Sequence, residues 1–283
     1  MCIRDSASTS APVSAIVHDF TAGMYRFDAV DIDTRVVYTN HPPAGAMRGF
    51  GATQACFLIE STVDAAAAVL DVDPVELRRR NLLHCGEPLA VTGQVLDGCV
   101  DPHDLLDAVL TGIVCDAVPH PDRRRGTGVA LGIKSAGLGH GKADPATVAV
   151  TVSGGQVQVH TSAAEVGQGV TDTVRRIVGA QLPGLPVTVV AMPTTFPTAG
   201  GSKASRQTMA TGGAAHRAAA EVRSQLDAAL GAGWTPAMVV DLGSRAIVHQ
   251  VTYDGPQTSP QQPHKAFQLV AHRSTVDVDT ATG

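Results

Sequence analysis

Residues 147–181 read TVAVTVSGGQVQVHTSAAEVGQGVTDTVRRIVGAQ. Side chains alternate over Thr147–Ser153 and again over Gln156–Thr161, with Gly154-Gly155 between the runs. A period of two broken by Gly-Gly predicts a β-hairpin, because a two-residue turn of this kind needs positive φ at both central positions. Glu165-Val166-Gly167-Gln168-Gly169 then leads into a helix over about 170–181. Strand and helix in one short stretch predict a mixed α+β fold. Toward the C-terminus the reading continues with a strand at 186–192, a loop rich in Gly, Ser and Thr at 194–203, and a long Ala-rich helix over about 205–230. Thr235-Pro236 caps a short helix, and 266–278 is a long alternating strand. Toward the N-terminus come a strand at 126–134 and the glycine loop Gly137-Leu138-Gly139-His140-Gly141. Residues 117–125 (AVPHPDRRR) are rich in Pro and charge and read as a domain junction. Nothing basic flanks Arg123–Arg125, so a solvated linker is preferred there over a polyanion patch.

The first half is read the same way. Residues 34–39 (TRVVYT) suggest a strand, followed by the loop 40–45. Arg48-Gly49-Phe50-Gly51 opens a helix running to about Leu70, with Phe57, Glu60, Val63, Ala67 and Leu70 at helical spacing. Asp73-Pro74-Val75-Glu76 starts the next helix: Asp73 caps, Pro74 occupies the first turn, and Glu76 completes a capping box. Asp101-Pro102-His103-Asp104 repeats the device for a helix through about Leu110. No internal repeat or heptad pattern occurs.

Composition sets the outer limits. The chain has 283 residues, 44% apolar and 17% charged, enough apolar mass for a core and too little charge for a disordered tail. Aromatics make up 4%, against 29 Gly and 17 Pro, so packing by small residues and many turns are expected. A net charge of −5 gives no basic excess to grip a phosphate backbone, and no nucleic-acid partner is expected. Apolar stretches are interrupted by Gln, Gly or Pro well short of a membrane span. The five cysteines, Cys2, Cys56, Cys85, Cys99 and Cys115, form no CxxC pair, so neither an iron–sulfur nor a zinc cradle is expected. An odd count without a secretory signal favours reduced thiols and a cytoplasmic setting. Met1–Ser6 reads as a non-native or assembly scar, and Asp279–Gly283 as a turn directly after a strand, so the chain is expected to be truncated.

Three glycine loops feed helix N-termini, at Gly49–Gly51, Gly167–Gly169 and Gly200–Ser205. Free N–H groups at a positive helix end suit an anionic ligand such as phosphate, while ordinary turns explain each loop taken alone. None is a P-loop, and Gly137-x-Gly139-x-Gly141 is not the dinucleotide fingerprint. Arg48 has two readings, a fork for an oxyanion or carbonyl and a structural residue satisfying loop carbonyls. Phe50 is either a core aromatic or a platform for a planar substrate. Gln168, between two glycines, has an amide that both donates and accepts. Glu165 either takes part in catalysis or fixes the glycine loop. The histidines show no metal spacing, and no paired-carboxylate or Ser/His/Asp arrangement stands out.

Taken together, these motifs resemble the molybdopterin-binding large subunit of the xanthine dehydrogenase / aldehyde oxidase family. The run Tyr38–Gly51, then Gln54, Glu60, Asp64 and Asp73-Pro74-x-Glu76-Leu77-Arg78-x-x-Asn81, carries the first part of the resemblance. Glu165–Gly169, Ala204-Ser205-Arg206-Gln207-Thr208 with Gly212 and Ala214, and Ala271-His272-Arg273 with Val276–Asp279 and Gly283 carry the rest. The resemblance implies two mixed α/β molybdenum-cofactor-binding lobes, both incomplete. The expected division is 7–116 for the first lobe, 117–125 for the linker and 126–283 for the second lobe.

It also implies a molybdenum–molybdopterin cofactor, as the cytosine dinucleotide in bacteria, and hydroxylation of an electron-poor C–H carbon with oxygen from water. Electrons would leave through an iron–sulfur subunit and an FAD subunit. By resemblance, Arg48, Gly167, Gln168, Gly169, Ala204, Ser205 and Gln207 bind the cofactor, and Phe50 and Leu138 face the substrate. None of these ligates the metal directly. The family's catalytic Glu has no counterpart here and is expected beyond Gly283. The loop Lys134–Gly141 lacks an aromatic, with Leu138 in its place, which argues against purine and leaves other N-heterocycles, aldehydes and acyl thioesters. The competing readings are a non-catalytic fragment or scaffold, and a phosphate-binding module unrelated to molybdenum.

Overall fold

The computed structural model describes residues 9–42, 45–111, 120–191, 196–197, 199–243 and 245–283. In chain order the elements are α1 (Ser10–Phe20), α2 (Ala52–Leu70), α3 (Pro74–Asn81), α4 (Pro102–Leu110), β1 (Arg123–Ala136), β2 (Ala146–Ser153), β3 (Gln156–Thr161), α5 (Val170–Gln181), β4 (Val187–Ala191), α6 (Gln207–Leu230), α7 (Pro236–Asp241), β5 (Ile247–Tyr253) and β6 (Ala266–Asp279). They form two compact units: one runs up to Lys134 and takes in Phe267–Gly283, and the other is Ser135–Ala266.

In the second unit a four-stranded sheet has the order β4-β3-β2-β5. The expected Gly-Gly hairpin forms, with Ser153 opposite Gln156 and Val148 opposite Thr161. Gly154 and Gly155 take φ of 54° and 73°, the left-handed pair that such a turn requires. β5 pairs antiparallel on the other side of β2, and β4 runs parallel to β3 after the α5 crossover. Val148, Val150, Val152, Val157 and Val159 are buried in one core with Val174 and Val178 of α5 and the Ala214, Ala215, Ala218 and Ala219 stripe of α6. Alanines there let the helix lie close on the valine face. At ~25 cal/mol per Å² of apolar area, this burial is the main force holding the unit.

The first unit joins α1–α4 to a two-stranded sheet of β1 and β6. Its core holds Phe20, Met24, Tyr25, Ala55, Leu82, Leu96, Leu106, Leu131 and Ile133, with Phe267 and Leu269 of β6 packed against it. Inside α2 and α3, the Arg78 guanidinium donates to Glu60 Oε2 at 2.8 Å and to Asp64 Oδ1 at 2.7 Å, and the Tyr25 hydroxyl donates to Glu60 Oε1 at 2.6 Å. Arg78 is 1% exposed and Glu60 5%, so this network is a buried charge pair with its hydrogen bonds filled.

Several expectations change. Residues 34–38 are exposed, and 34–39 show a single bridge position at Val37 rather than a strand, because no strand pairs along them among the described residues. Around α2, Phe57 and Leu70 are exposed; the inward stripe is Ala52, Ala55, Ile59, Glu60 and Ala67, oriented by the clasp of Arg78 on Glu60. By length and composition alone α2 meets the measure of a membrane-crossing helix, against the expectation that none does, yet here it carries the charges Arg78 holds. Asp73 caps α3 as expected, accepting from the Val75 and Glu76 N–H groups, but Glu76 pairs with Arg80 instead of reaching back to close a box. Asp101 caps α4. Arg123–Arg125 belong to β1 rather than to a linker, and Arg125 grips Asp277 of β6; 112–119 lie outside the described residues. By packing, the residues up to Lys134 group with Phe267–Gly283, and Ser135–Ala266 group among themselves.

Candidate functional site

The Arg48–Gly51 turn starts α2 in the first unit. Gly49, Phe50 and Gly51 take φ of 99°, 48° and 102°. Two of the three must be glycine: a Cβ on Gly49 would lie 2.6 Å from Thr53 Cγ2, and one on Gly51 would lie 2.5 Å from the Val13 carbonyl oxygen. Phe50 is carried through the left-handed region between them, at a cost of about 1 kcal/mol or more. Its N–H donates to the Met47 carbonyl at 2.9 Å, and its ring is half-buried against the first unit's core. Arg48 is exposed, and its guanidinium meets no acceptor among the described residues.

In the second unit, the Glu165–Gly169 loop opens α5. The Glu165 carboxylate accepts from the N–H groups of Gly167 (2.9 Å), Gly169 (3.0 Å) and Thr171 (3.1 Å). Those of Thr171 and Gly169, then Gly167, hold the carboxyl below its usual range. Glu165 therefore fixes the loop, the second of its two readings. The N–H donors expected to face a ligand are already paired inside the chain. Gln168 folds back too: its amide donates to the Ala164 carbonyl at 2.9 Å and accepts from the Val166 N–H at 2.6 Å.

The turn before α6 is built differently. Ala204 and Ser205 follow each other in the left-handed region, φ 54° and 52°, with Ser205 exposed at the mouth of a 24-residue helix. The Ala204 carbonyl accepts from the Gly137 N–H at 2.9 Å, while the Ala204 and Ser205 N–H groups bond to none of the described residues. Gln207 is buried beneath the loop, donating to the Gly201 carbonyl and the Ser202 hydroxyl at 3.3 Å each. Two strained residues in a row need a firm support, and Arg206 supplies it. Its guanidinium donates to Asp144 Oδ1, to the Ala199 carbonyl, and to the Asp144 and Pro145 carbonyls at 2.8 and 2.7 Å. Asp144 Oδ2 accepts from the Leu138 N–H at 2.9 Å, so one buried ion pair ties together the loops of Leu138 and Ala204. The Ser202 hydroxyl donates to the Ala164 carbonyl at 2.6 Å, the same oxygen that Gln168 uses, which joins the third loop.

Leu138, Gly167, Gln168, Gly169, Ala204, Ser205 and Gln207 thus share one hydrogen-bonded loop cluster in the second unit, whereas Arg48 and Phe50 belong to the first. The sequence reading missed Asp144 and Arg206. An Arg enclosed between two proposed site residues was the available signal. None of the glutamates stands apart as a base. Glu60, Glu76, Glu87 and Glu165 are each bonded as described or, for Glu87, to Arg26 and the His84 N–H, and Glu221 lies on the exposed side of α6 beside Gln225. Burial pushes the Lys134 ammonium, at the start of the Leu138 loop, down to about 8.

The molybdopterin cofactor-binding domain family matches residues 5–82 and 116–283. The xanthine dehydrogenase molybdenum-binding subunit of Escherichia coli is 32% identical over 224 residues, 72% of this chain and 29% of that protein. The nicotinate dehydrogenase large molybdopterin subunit of Eubacterium barkeri is 44% identical over 78 residues, 28% of this chain and 18% of that protein. The crystal structure of the aldehyde oxidoreductase from Desulfovibrio desulfuricans superimposes with a TM-score of 0.75 at 24% identity, covering 96% of this chain and 31% of that one. The chain spans less than a third of the length of the curated relatives it matches.

Proposed function

The chain belongs to the xanthine dehydrogenase / aldehyde oxidase family of molybdopterin-binding proteins, and on that basis we propose that it forms part of the cofactor site of a molybdenum hydroxylase. The observation that carries the reading is the Ala204–Ser205 turn. Two successive residues in the left-handed region open the turn into α6, their N–H groups bond to none of the described residues, and the buried Asp144–Arg206 pair supports the turn. That arrangement suits a multiply anionic group. The exposed Arg48 guanidinium, which meets no acceptor among the described residues, adds a cation of the right kind. The residues fit a phosphate-bearing pterin at these two places. At Gly167–Gly169 the N–H groups are already held by Glu165, so these glycines offer close backbone approach rather than donors.

In this reading Ala204 and Ser205 donate to the cofactor through the backbone, Arg48 holds an oxyanion, and Gln168 with its flanking glycines walls the pocket. Gln207 supports the turn from below. Phe50 and Leu138 border the substrate. When bound, the molybdenum cofactor supplies two-electron oxidation of a C–H carbon with oxygen taken from water. Substrates are electron-poor N-heterocycles or aldehydes, and electrons pass to iron–sulfur and FAD partners. A reducing, cytoplasmic setting accords with the free thiols of Cys56, Cys85 and Cys99.

The test is turnover of the full-length subunit, assembled with its partners, with and without Arg48→Ala. Loss of one charge-assisted contact predicts a fall of about tenfold or more in kcat/KM. Unchanged turnover rejects the role given to Arg48.

A further inference from the structure

The segment between α3 and α4 returns to the start of α4, where His84, Asp101 and His103 meet. One ligand atom of each lies within 4.8 Å of the other two. Asp101 Oδ1 accepts from the His103 N–H at 2.9 Å, the ordinary helix cap. Asp101 Oδ2 accepts from the Cys85 N–H at 3.0 Å and lies 3.2 Å from His84 Nδ1. The two imidazoles stack, with centroids 4.2 Å apart and planes 14° from parallel.

Capping accounts for the carboxylate. It does not account for two imidazoles gathered on it, nor for His103 Nε2, which is enclosed and meets no hydrogen-bond partner among the described residues. An enclosed ring nitrogen left unpaired destabilises the fold. A divalent cation would use all three groups at once.

We propose that His84, Asp101 and His103 bind one divalent cation of the zinc type, stapling the α3–α4 segment to the N-terminus of α4. The donor set is nitrogen, nitrogen and oxygen, which suits zinc, cobalt or nickel rather than magnesium or calcium. Bonds of about 2.0–2.2 Å in a tetrahedron separate ligand atoms by roughly 3.3 Å. His84 and Asp101 already stand at 3.2 Å; the His103 ring must turn out of its stack with His84 to bring its in-plane lone pair onto the ion, with water in the fourth position. The Cys85 and Cys99 sulfurs of the same segment stand 3.9 Å apart, and the test separates them from the nitrogen–oxygen set.

The experiment is titration of the chelator-stripped full chain with zinc chloride by calorimetry, and with cobalt chloride by absorption. One ion per chain, micromolar or tighter, is expected, with no competition from millimolar magnesium and no intense sulfur-to-cobalt band. His84→Asn, at an exposed position, and His103→Gln should each weaken binding at least tenfold while Cys85→Ser leaves it unchanged. Zinc should raise the thermal midpoint of the parent chain and not that of His84→Asn. Absence of saturable binding overturns the proposal. So does equal affinity in the parent and both histidine variants, or loss of binding in Cys85→Ser with a sulfur band in the parent.

Discussion

At Arg206 a single side chain organises three loops. Its guanidinium and the Asp144 carboxylate are each 1% exposed, so their attraction is unscreened and their desolvation complete. Removing one partner leaves a buried charge alone. Arg206→Met is therefore expected to cost about 3–5 kcal/mol in urea unfolding, and Asp144→Asn a similar amount. The double variant should cost clearly less than the two effects added, because the orphaned charge is gone. Additive losses would mean that the pair does not act as a unit. Glu165 makes a different kind of contribution. It is exposed, and its carboxyl is held below the ordinary range by the amides it accepts from. A depressed carboxylate stabilises the fold above its unfolded-state pKa, and this is lost as pH falls through the lower folded value. Corrected for its intrinsic pH dependence, hydrogen exchange at Gly167, Gly169 and Thr171 should be slow at neutral pH and quicken as pH falls below the unperturbed Glu range of about 4. In Glu165→Gln it should be fast at both. If the amides stay protected in that variant, the carboxylate is not what holds the loop.

Among elements, α6 shows how far small residues can be pressed. Its alanines let it lie on the valine face, and Gly213 lets the Tyr253 ring of β5 cross it. A Cβ on Gly213 would lie 2.4 Å from that ring, whose face also receives Arg217 at 4.3 Å. Ala is the better helix former by about 1 kcal/mol, but the ring must move and give up its cation contact. The clash is expected to win, so Gly213→Ala should lower stability by roughly 1–2 kcal/mol; a stabilised variant would show the ring to be loosely held. Legibility also differed by element. The hairpin, α5 and the Asp-Pro starts of α3 and α4 were readable because their signals are local. The alternation of Ile247, His249, Val251 and Tyr253 in β5, and the helical spacing of Val13, Ile16 and Phe20 in α1, were available but passed over. The inward face of α2 was not readable, because the Arg78 that orients it lies on another helix.

For the molecule as a whole, the first unit is built from both ends of the chain. β6 contributes Phe267, Leu269 and Ala271 to a core otherwise made before Lys134. The Phe20 and Phe267 rings meet edge to face at 6.5 Å. A chain ending at Ala266 should therefore lose the first unit's protection while the β4-β3-β2-β5 sheet survives. Limited proteolysis followed by mass mapping checks this: early cuts within α1–α4 and a persistent 135–266 core are expected. Equal resistance of both regions would show β6 to be dispensable.

The amino-acid sequence by itself determined the mixed α+β class, the hairpin, the helix starts and the family, because each rests on short-range periodicity, turn chemistry or ordered motifs. Only the tertiary structure decided which donors are free. It spent the Gly167 and Gly169 N–H groups on Glu165, left those of Ala204 and Ser205 without a partner among the described residues, and gathered His84, Asp101 and His103 at one helix end. Such outcomes depend on partners distant in the chain or on loop closure, and hydrogen bonds of that kind leave no periodic trace in the order of residues.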